Sequence, residues 1–202
     1  MRSLLLPLAA ALLLTCSCRA EPAMAWPENL APARKELLEK ALAFLKANPA
    51  VPYLNGGADA AGMDCSGAIT LLLRLVKIEP PRSAHGQYEW LSKSGRLTTV
   101  PATARTPADP VFAGLQPGDL IFWAHDDGKL PEILRVSHVH MYLGKEQDGH
   151  AVMIGSSDGR SYRGRKLSGF GRVDFSVPKA GARTRIVGFG SPIPVPPKDG
   201  PK

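Results

Sequence analysis

From residue 33 to residue 48 apolar side chains recur at Leu37, Leu38, Ala41, Leu42, Phe44 and Leu45 with charges between them, which is the spacing of one helix face. Pro32 ahead of this stretch and Asn48-Pro49 behind it are the punctuation a helix takes. A Gly/Ala-rich loop occupies 55–62. Residues 66–77 then predict a second helix, with leucines at 71, 72, 73 and 75. So apolar a segment is expected to be buried on most sides. Ser83 predicts the cap of a third, shorter helix through Leu91, weakened by Gly86. Beyond Thr98 the pattern changes. A Pro/Thr/Ala-rich connection runs to Pro110, the turn Leu115-Gln116-Pro117-Gly118-Asp119 follows, and strands are predicted over 120–124, 136–143, 151–156, 172–177 and 184–189. Helices first and an antiparallel sheet of about five strands after them define an α+β domain rather than alternating parallel units. The proline-rich tail, 191–202, has no apolar period and reads as an extended end.

Residues 1–25 stand apart. Arg2, an apolar run from Leu4 to Leu14 and the small residues Ala23-Met24-Ala25 before Trp26 have the layout of a secretory leader with its cleavage site. The run is shorter than the ~20 residues a membrane-crossing helix needs. A cut after Cys18-Arg19-Ala20 is a second option, and lipid attachment at Cys16 or Cys18 a third, although Thr15 and Ser17 suit a lipidated cysteine poorly. The expected location is therefore extracytoplasmic, periplasmic or secreted, with a lipid anchor left open. What remains is long enough for one domain, expected over 33–190 and to act as a monomer. The formal charge is +7 for the whole chain and +6 once Arg2, Arg19 and Glu21 leave with the leader. That balance suits an anionic partner such as wall polymer or a membrane surface. No basic run with interleaved aromatics points to nucleic acid.

Removal of the leader would leave Cys65 as the one cysteine, either an inert small hydrophobe or a thiol kept for its reactivity. Its neighbours favour reactivity. Asp64 is a natural N-cap of the second helix, and Cys65 falls in the first turn, where free amides and the helix dipole favour a thiolate. The thiol is therefore expected to be largely ionised near neutral pH, with the same amides available to an oxyanion. A base must come from His85, His125, His138, His140 or His150. His138 and His140 alternate onto one face of the strand 136–143, opposite Val139, Met141 and Leu143. Such a pair suits half a metal site or a base with a neighbour. Zinc would need further ligands, and no C-x-x-C or H-E-x-x-H spacing supplies them, so neither metal nor cofactor is expected. His85, His125 and His150 fall in a helix or in loops and read as surface residues.

Four segments, Pro52-Tyr53-Leu54-Asn55-Gly56-Gly57, Gly62-Met63-Asp64-Cys65-Ser66-Gly67, Leu115-Gln116-Pro117-Gly118-Asp119-Leu120 and His138-Val139-His140-Met141-Tyr142-Leu143-Gly144, resemble in order the landmarks of the NlpC-type bacterial cell-wall cysteine peptidases. The resemblance implies a papain-like core and hydrolysis of peptidoglycan stem peptides at the γ-D-glutamyl–diamino acid bond. It implies Cys65 as nucleophile, His138 as general base, Tyr53 near the oxyanion position, and Asp64 and Ser66 as grips for the free amino end of the stem peptide. The residue that orients the histidine in this family falls on the next strand, where this chain has Ile154 or Gly155, neither with a side chain able to accept a hydrogen bond. His140, His150, Ser156 or a backbone carbonyl remain as substitutes. The polar, basic stretch 157–165 reads as a loop, facing substrate or merely solvated. An acyltransferase or amidase on the same scaffold, and a wall-binding module without turnover, stay open as alternatives.

Overall fold

The structure is a computed structural model, and it describes residues 22–125 and 135–194. Three helices come first: α1 (Pro32–Ala47), α2 (Cys65–Arg74) and α3 (Ala84–Lys93). A small hairpin of β1 (Ala58–Asp59) and β2 (Gly62–Met63) precedes α2, and β3 (Leu97–Thr99) follows α3. A 3-10 turn, Pro110–Gly114, then leads into β4 (Leu120–His125), β5 (Val136–Lys145), β6 (Ala151–Tyr162), β7 (Arg165–Asp174) and β8 (Thr184–Gly190). The main sheet is antiparallel in the order β3-β8-β4-β5-β6-β7. Its sixth strand, β3, is too short and polar to show a period.

The helices arise where the apolar spacing places them, and both predicted caps form. Asp64 accepts from the Gly67 amide at 2.7 Å and Ser83 from the Gly86 amide at 3.0 Å. Each cap is worth about 1 kcal/mol. Leu37, Leu38 and Ala41 of α1, and Ala68, Ile69, Leu72 and Leu73 of α2, are fully buried against Val139, Met141 and Leu143 of β5 and Val152 and Ile154 of β6. The opposite face of the sheet carries a second core of Ile121, Trp123, Tyr142, Met153 and Phe189, covered by Val100, Ala104 and Phe112 of the long connection.

The hairpin of β6 and β7 departs from expectation. The stretch 157–165 is not a loop: pairing continues from Ser157↔Gly169 to Tyr162↔Arg165, so β6 runs six residues past its expected end and β7 starts well before 172. This end carries almost no apolar side chains, which is why alternation could not reveal it. Ion pairs hold it instead. Glu146, wholly buried, accepts from Tyr162, Arg163 and Arg172 at 2.6–3.2 Å.

Pro22 to Ala25, the last part of the expected leader, lies along the turn between β5 and β6. The Ala25 amide donates to the Lys145 carbonyl, Gln147 donates to the Ala23 carbonyl, and Arg172 donates to the Pro22 carbonyl. A cut after Ala20 keeps these bonds, whereas one before Trp26 removes them. Cys16, Cys18 and the rest of the leader, and residues 195–202 of the tail, lie outside the described residues.

Candidate active site

Asp64 organises the entrance to α2. Its Oδ1 accepts from the Gly67 amide, from Ser66 Oγ at 3.2 Å and from Arg82 at 3.0 Å, and its Oδ2 from the Gly56 amide and Arg82, both at 2.9 Å. Burial works against this carboxylate, but the Arg82 and amide hydrogen bonds outweigh it and hold its pKa below the usual range. Arg82 also donates to Ser66 Oγ at 2.9 Å and the Gly57 carbonyl at 2.9 Å. Asp64 and Ser66, the residues expected to hold an ammonium, thus share a guanidinium of the chain itself. The loop is pressed close: a Cβ at Gly67 would stand 2.0 Å from the Gly57 carbonyl oxygen.

Cys65, 7% exposed, opens α2 beside a break in the sheet. The ladder between β5 and β6 runs from Lys145↔Ala151 to Met141↔Ile154 and stops there, whereas β5 keeps pairing with β4 back to Val136. This leaves the β6-facing edge of β5 without strand partners at 136–140, and the Val139 amide, next in the chain after His138, turns to the sulfur of Cys65. Ser156 closes the loop from β6: its hydroxyl donates to the Met63 carbonyl at 2.6 Å. Tyr53 bridges to Met63 in parallel fashion, and its phenol feels the charges of Cys65, Asp64 and Asp158.

His138 and His140 stand side by side with ring centroids 4.5 Å apart, both against the Trp123 indole at 5.7 and 5.9 Å. His140 is fully buried with neither ring nitrogen hydrogen-bonded, and the Nε2 of His138 is likewise buried without a partner. Gly155 makes room for it: a Cβ there would lie 2.6 Å from His140 Cδ2. Of the three side chains offered as substitutes for an orienting residue, only His140 adjoins His138. Ser156 is committed to Met63, and His150, at the far end of the hairpin, pairs with Asp174 at 2.8 Å. Seven residues of strand separate His138 from the Lys145 end, roughly 20 Å. Of the remaining histidines, His85 lies 3.8 Å from Glu89 on the surface of α3, and His125 is exposed at the end of β4. Among the described residues no cluster of three or more His, Cys, Asp or Glu is placed to hold a metal.

The surroundings weigh against the expected thiolate at rest. Burial pushes the Cys65 thiol up from its ordinary value despite the amides of Val139, Ser66 and Cys65. Burial, with the charge of Arg160 added, lowers His138 to about 3 and takes His140 well below 6.5. Both directions favour a neutral thiol beside a neutral imidazole at rest. Alkylation by iodoacetamide, which needs the thiolate, is expected to accelerate about tenfold per pH unit from pH 6 to 9. A fast rate already flat at pH 6 would show a preformed thiolate–imidazolium pair instead.

Two residues of this neighbourhood escaped the sequence reading. Arg82 has no local signal, since only the folded chain brings α3's entrance to Asp64. Arg160 was assigned to a loop, but its guanidinium carbon lies 4.3 Å from the centroid of the Trp123 ring, on the histidine face.

The profile of the NlpC/P60 family matches residues 50–167. The chain is 33% identical over 121 residues to the gamma-D-glutamyl-L-lysine dipeptidyl-peptidase of Bacillus cereus, covering 60% of this chain and 28% of that protein. It is 31% identical over 107 residues to the enzyme of the same name from Bacillus subtilis, covering 53% of this chain and 29% of the other. The chain thus spans under a third of these relatives' length. The crystal structure of an NlpC/P60 family protein from Bacillus cereus superposes with a TM-score of 0.52 at 27% identity, over 82% of this chain and 42% of that one.

Proposed function

The chain belongs to the NlpC/P60 family, and from that premise we propose that it is a cysteine peptidase of the bacterial wall, cutting stem peptides between γ-D-glutamate and a diamino acid. The observation that carries this reading is the sulfur of Cys65 at the mouth of α2, beside the amide that follows His138. The names of its relatives, which act on γ-D-glutamyl-L-lysine, favour the same bond.

Starting from a neutral pair, the Cys65 thiol passes its proton to His138 as the sulfur attacks the carbonyl. First-turn amides of α2 and the Tyr53 hydroxyl are the donors at hand for the oxyanion. His138 returns the proton to the leaving amine, the C–N bond breaks and a thioester remains. Water, deprotonated by His138, then releases the acid and restores the thiol. His140 positions the ring of His138 in place of the residue that the next strand lacks. Because both oxygens of Asp64 are occupied, its role is to build the loop, and an incoming ammonium would have to displace Arg82. A chain that cuts wall peptides would act outside the cytoplasm, where a leader over residues 1–25 would deliver it.

Incubation with a defined γ-D-glutamyl-L-lysine peptide, with and without an added amine, tests the reading by mass spectrometry. The expected products are the γ-D-glutamyl acid and free lysine. An adduct of the added amine in place of the acid would make the protein an acyltransferase. Unchanged peptide would leave only a wall-binding role.

A further inference from the structure

Along β6 the side chains of Val152 and Ile154 enter the core under α2, and Ser156, in the same phase, reaches Met63. Met153 belongs to the core on the other face, and Gly155 adjoins His140 there. Strict alternation would put Asp158 and Arg160 together on the α2 side. A bulge prevents this: Asp158 pairs with Ser168 and Arg160 with Leu167, leaving Gly159 as the extra residue at φ +94°. One inserted residue reverses the phase of the strand. Asp158 stays on the side of Tyr53, while Arg160 crosses to the face of Trp123, His138 and His140.

There the guanidinium carbon lies over the indole, 4.3 Å from its centroid, a cation–π contact that uses none of the five N–H donors. The two arginines near the site differ in this respect. Arg82 has its donors on Asp64, Ser66 and Gly57, but Arg160 has no carboxylate or carbonyl partner among the described residues. A half-buried cation without an anion, set over an aromatic ring beside the candidate base, is costly unless something else supplies the charge. Its effect is felt at the reacting groups. After burial itself, Arg160 is a cause of the lowered pKa values of His138 and His140, and the Cys65 thiolate in turn favours the charged form of Arg160.

We propose that Arg160 is a specificity-determining residue that receives a carboxylate on the acyl side of the scissile bond. The inference rests on the peptidase reading above and narrows its substrate. A γ-linked glutamate keeps a free carboxylate three saturated carbons from its reacting carbonyl, on the carbon that also bears the upstream amide nitrogen; an α-linked glutamate has a carboxylate at the same spacing but carries that nitrogen beside the reacting carbonyl instead. An arginine fork makes two parallel charge-assisted hydrogen bonds to such a group. When the α-carboxylate is amidated, as in an isoglutamine residue, it can offer one acceptor and no charge, so the amidated peptide is the disfavoured substrate.

The test uses the whole chain carrying Cys65→Ala, so that binding is read without turnover, with two probes: a γ-D-glutamyl-L-lysine peptide and its α-amide. Calorimetry is expected to give about ten- to hundredfold tighter binding of the acid. In the Arg160→Gln background the ratio should collapse towards one through loss of acid affinity, and Arg160→Lys should retain part of it. Equal affinity for acid and amide in the Arg160 chain overturns the proposal, as does no measurable binding of the acid. So does a ratio that survives in a folded Arg160→Gln chain. The acid-to-amide comparison stands even where a substitution fails to fold. Cleavage of both peptides alike by the unsubstituted chain would defeat this inference and leave the peptidase reading intact. Discrimination in binding without any cleavage would do the reverse.

Discussion

Replacing Cys65 by alanine is expected to lower the cleavage of a γ-D-glutamyl-L-lysine peptide to background, a loss on the order of a millionfold, while the protein keeps its fold. The chemical part of this expectation is simple: without sulfur no thioester forms, and nothing else at the mouth of α2 can replace it. Ser66 is the nearest hydroxyl, but it is 6% exposed and bonded to Asp64 and Arg82. The structural part follows from size. Alanine removes one atom from a position at the edge of the core, the cap on Asp64 is untouched, and the Val139 amide loses one weak acceptor. A cost of about 1 kcal/mol results, small against the stability of a domain of this size. Mass spectrometry of the digest and a thermal melt, run on the same preparation, check both halves. Cleavage within tenfold of the unsubstituted protein would remove Cys65 from the mechanism. Loss of the folded transition would instead show that the thiol is a core residue.

How far the sequence reached depends on what kind of interaction made each part. The three helices, the two caps and the interior strands rest on local apolar spacing, and the chain shows that spacing openly: Leu37, Leu38 and Ala41, or Val139, Met141 and Leu143, could be assigned to their faces without a structure. The far end of the β6–β7 hairpin rests on Glu146, Arg163 and Arg172, charged groups that ordinarily signal a solvated loop. Here their partner is wholly buried, which only the third dimension reveals. Burial also bears on ionisation. Asp64 before Cys65 marked the helix entrance, and the helix dipole there is opposed by a desolvation that no local pattern displays. Arg160 was hidden for a further reason. Gly159 inserts a bulge, and a bulge changes the face on which every following side chain appears.

The histidine pair provides the sharpest test of the site. His138→Ala is expected to lower kcat about 10⁴-fold, since it removes the acceptor of the thiol proton and the donor to the leaving amine. His140 should behave differently. It is fully buried, has no access to substrate, and under the proposed mechanism would act through the ring 4.5 Å away. His140→Phe keeps an aromatic ring beside Gly155 but removes both nitrogens, which are unpartnered at rest and would serve as acceptors only once His138 is protonated, so kcat should fall by roughly 10–100-fold with KM unchanged. His140→Gln, which restores a polar group, should recover part of that loss. If His140 only filled space, Phe would preserve kcat and Gln would reduce stability. If instead His140 were the base, the order of the two alanine variants would reverse. That reversal would mean that β5 presents its histidines one step out of the assumed register, with His138 left as the neighbour that orients. The distinction matters chemically because the two neutral imidazoles share one low-dielectric site under the field of Arg160. Such a site disfavours two added protons at once, so under the proposed mechanism one ring would shuttle the proton while the other stays neutral.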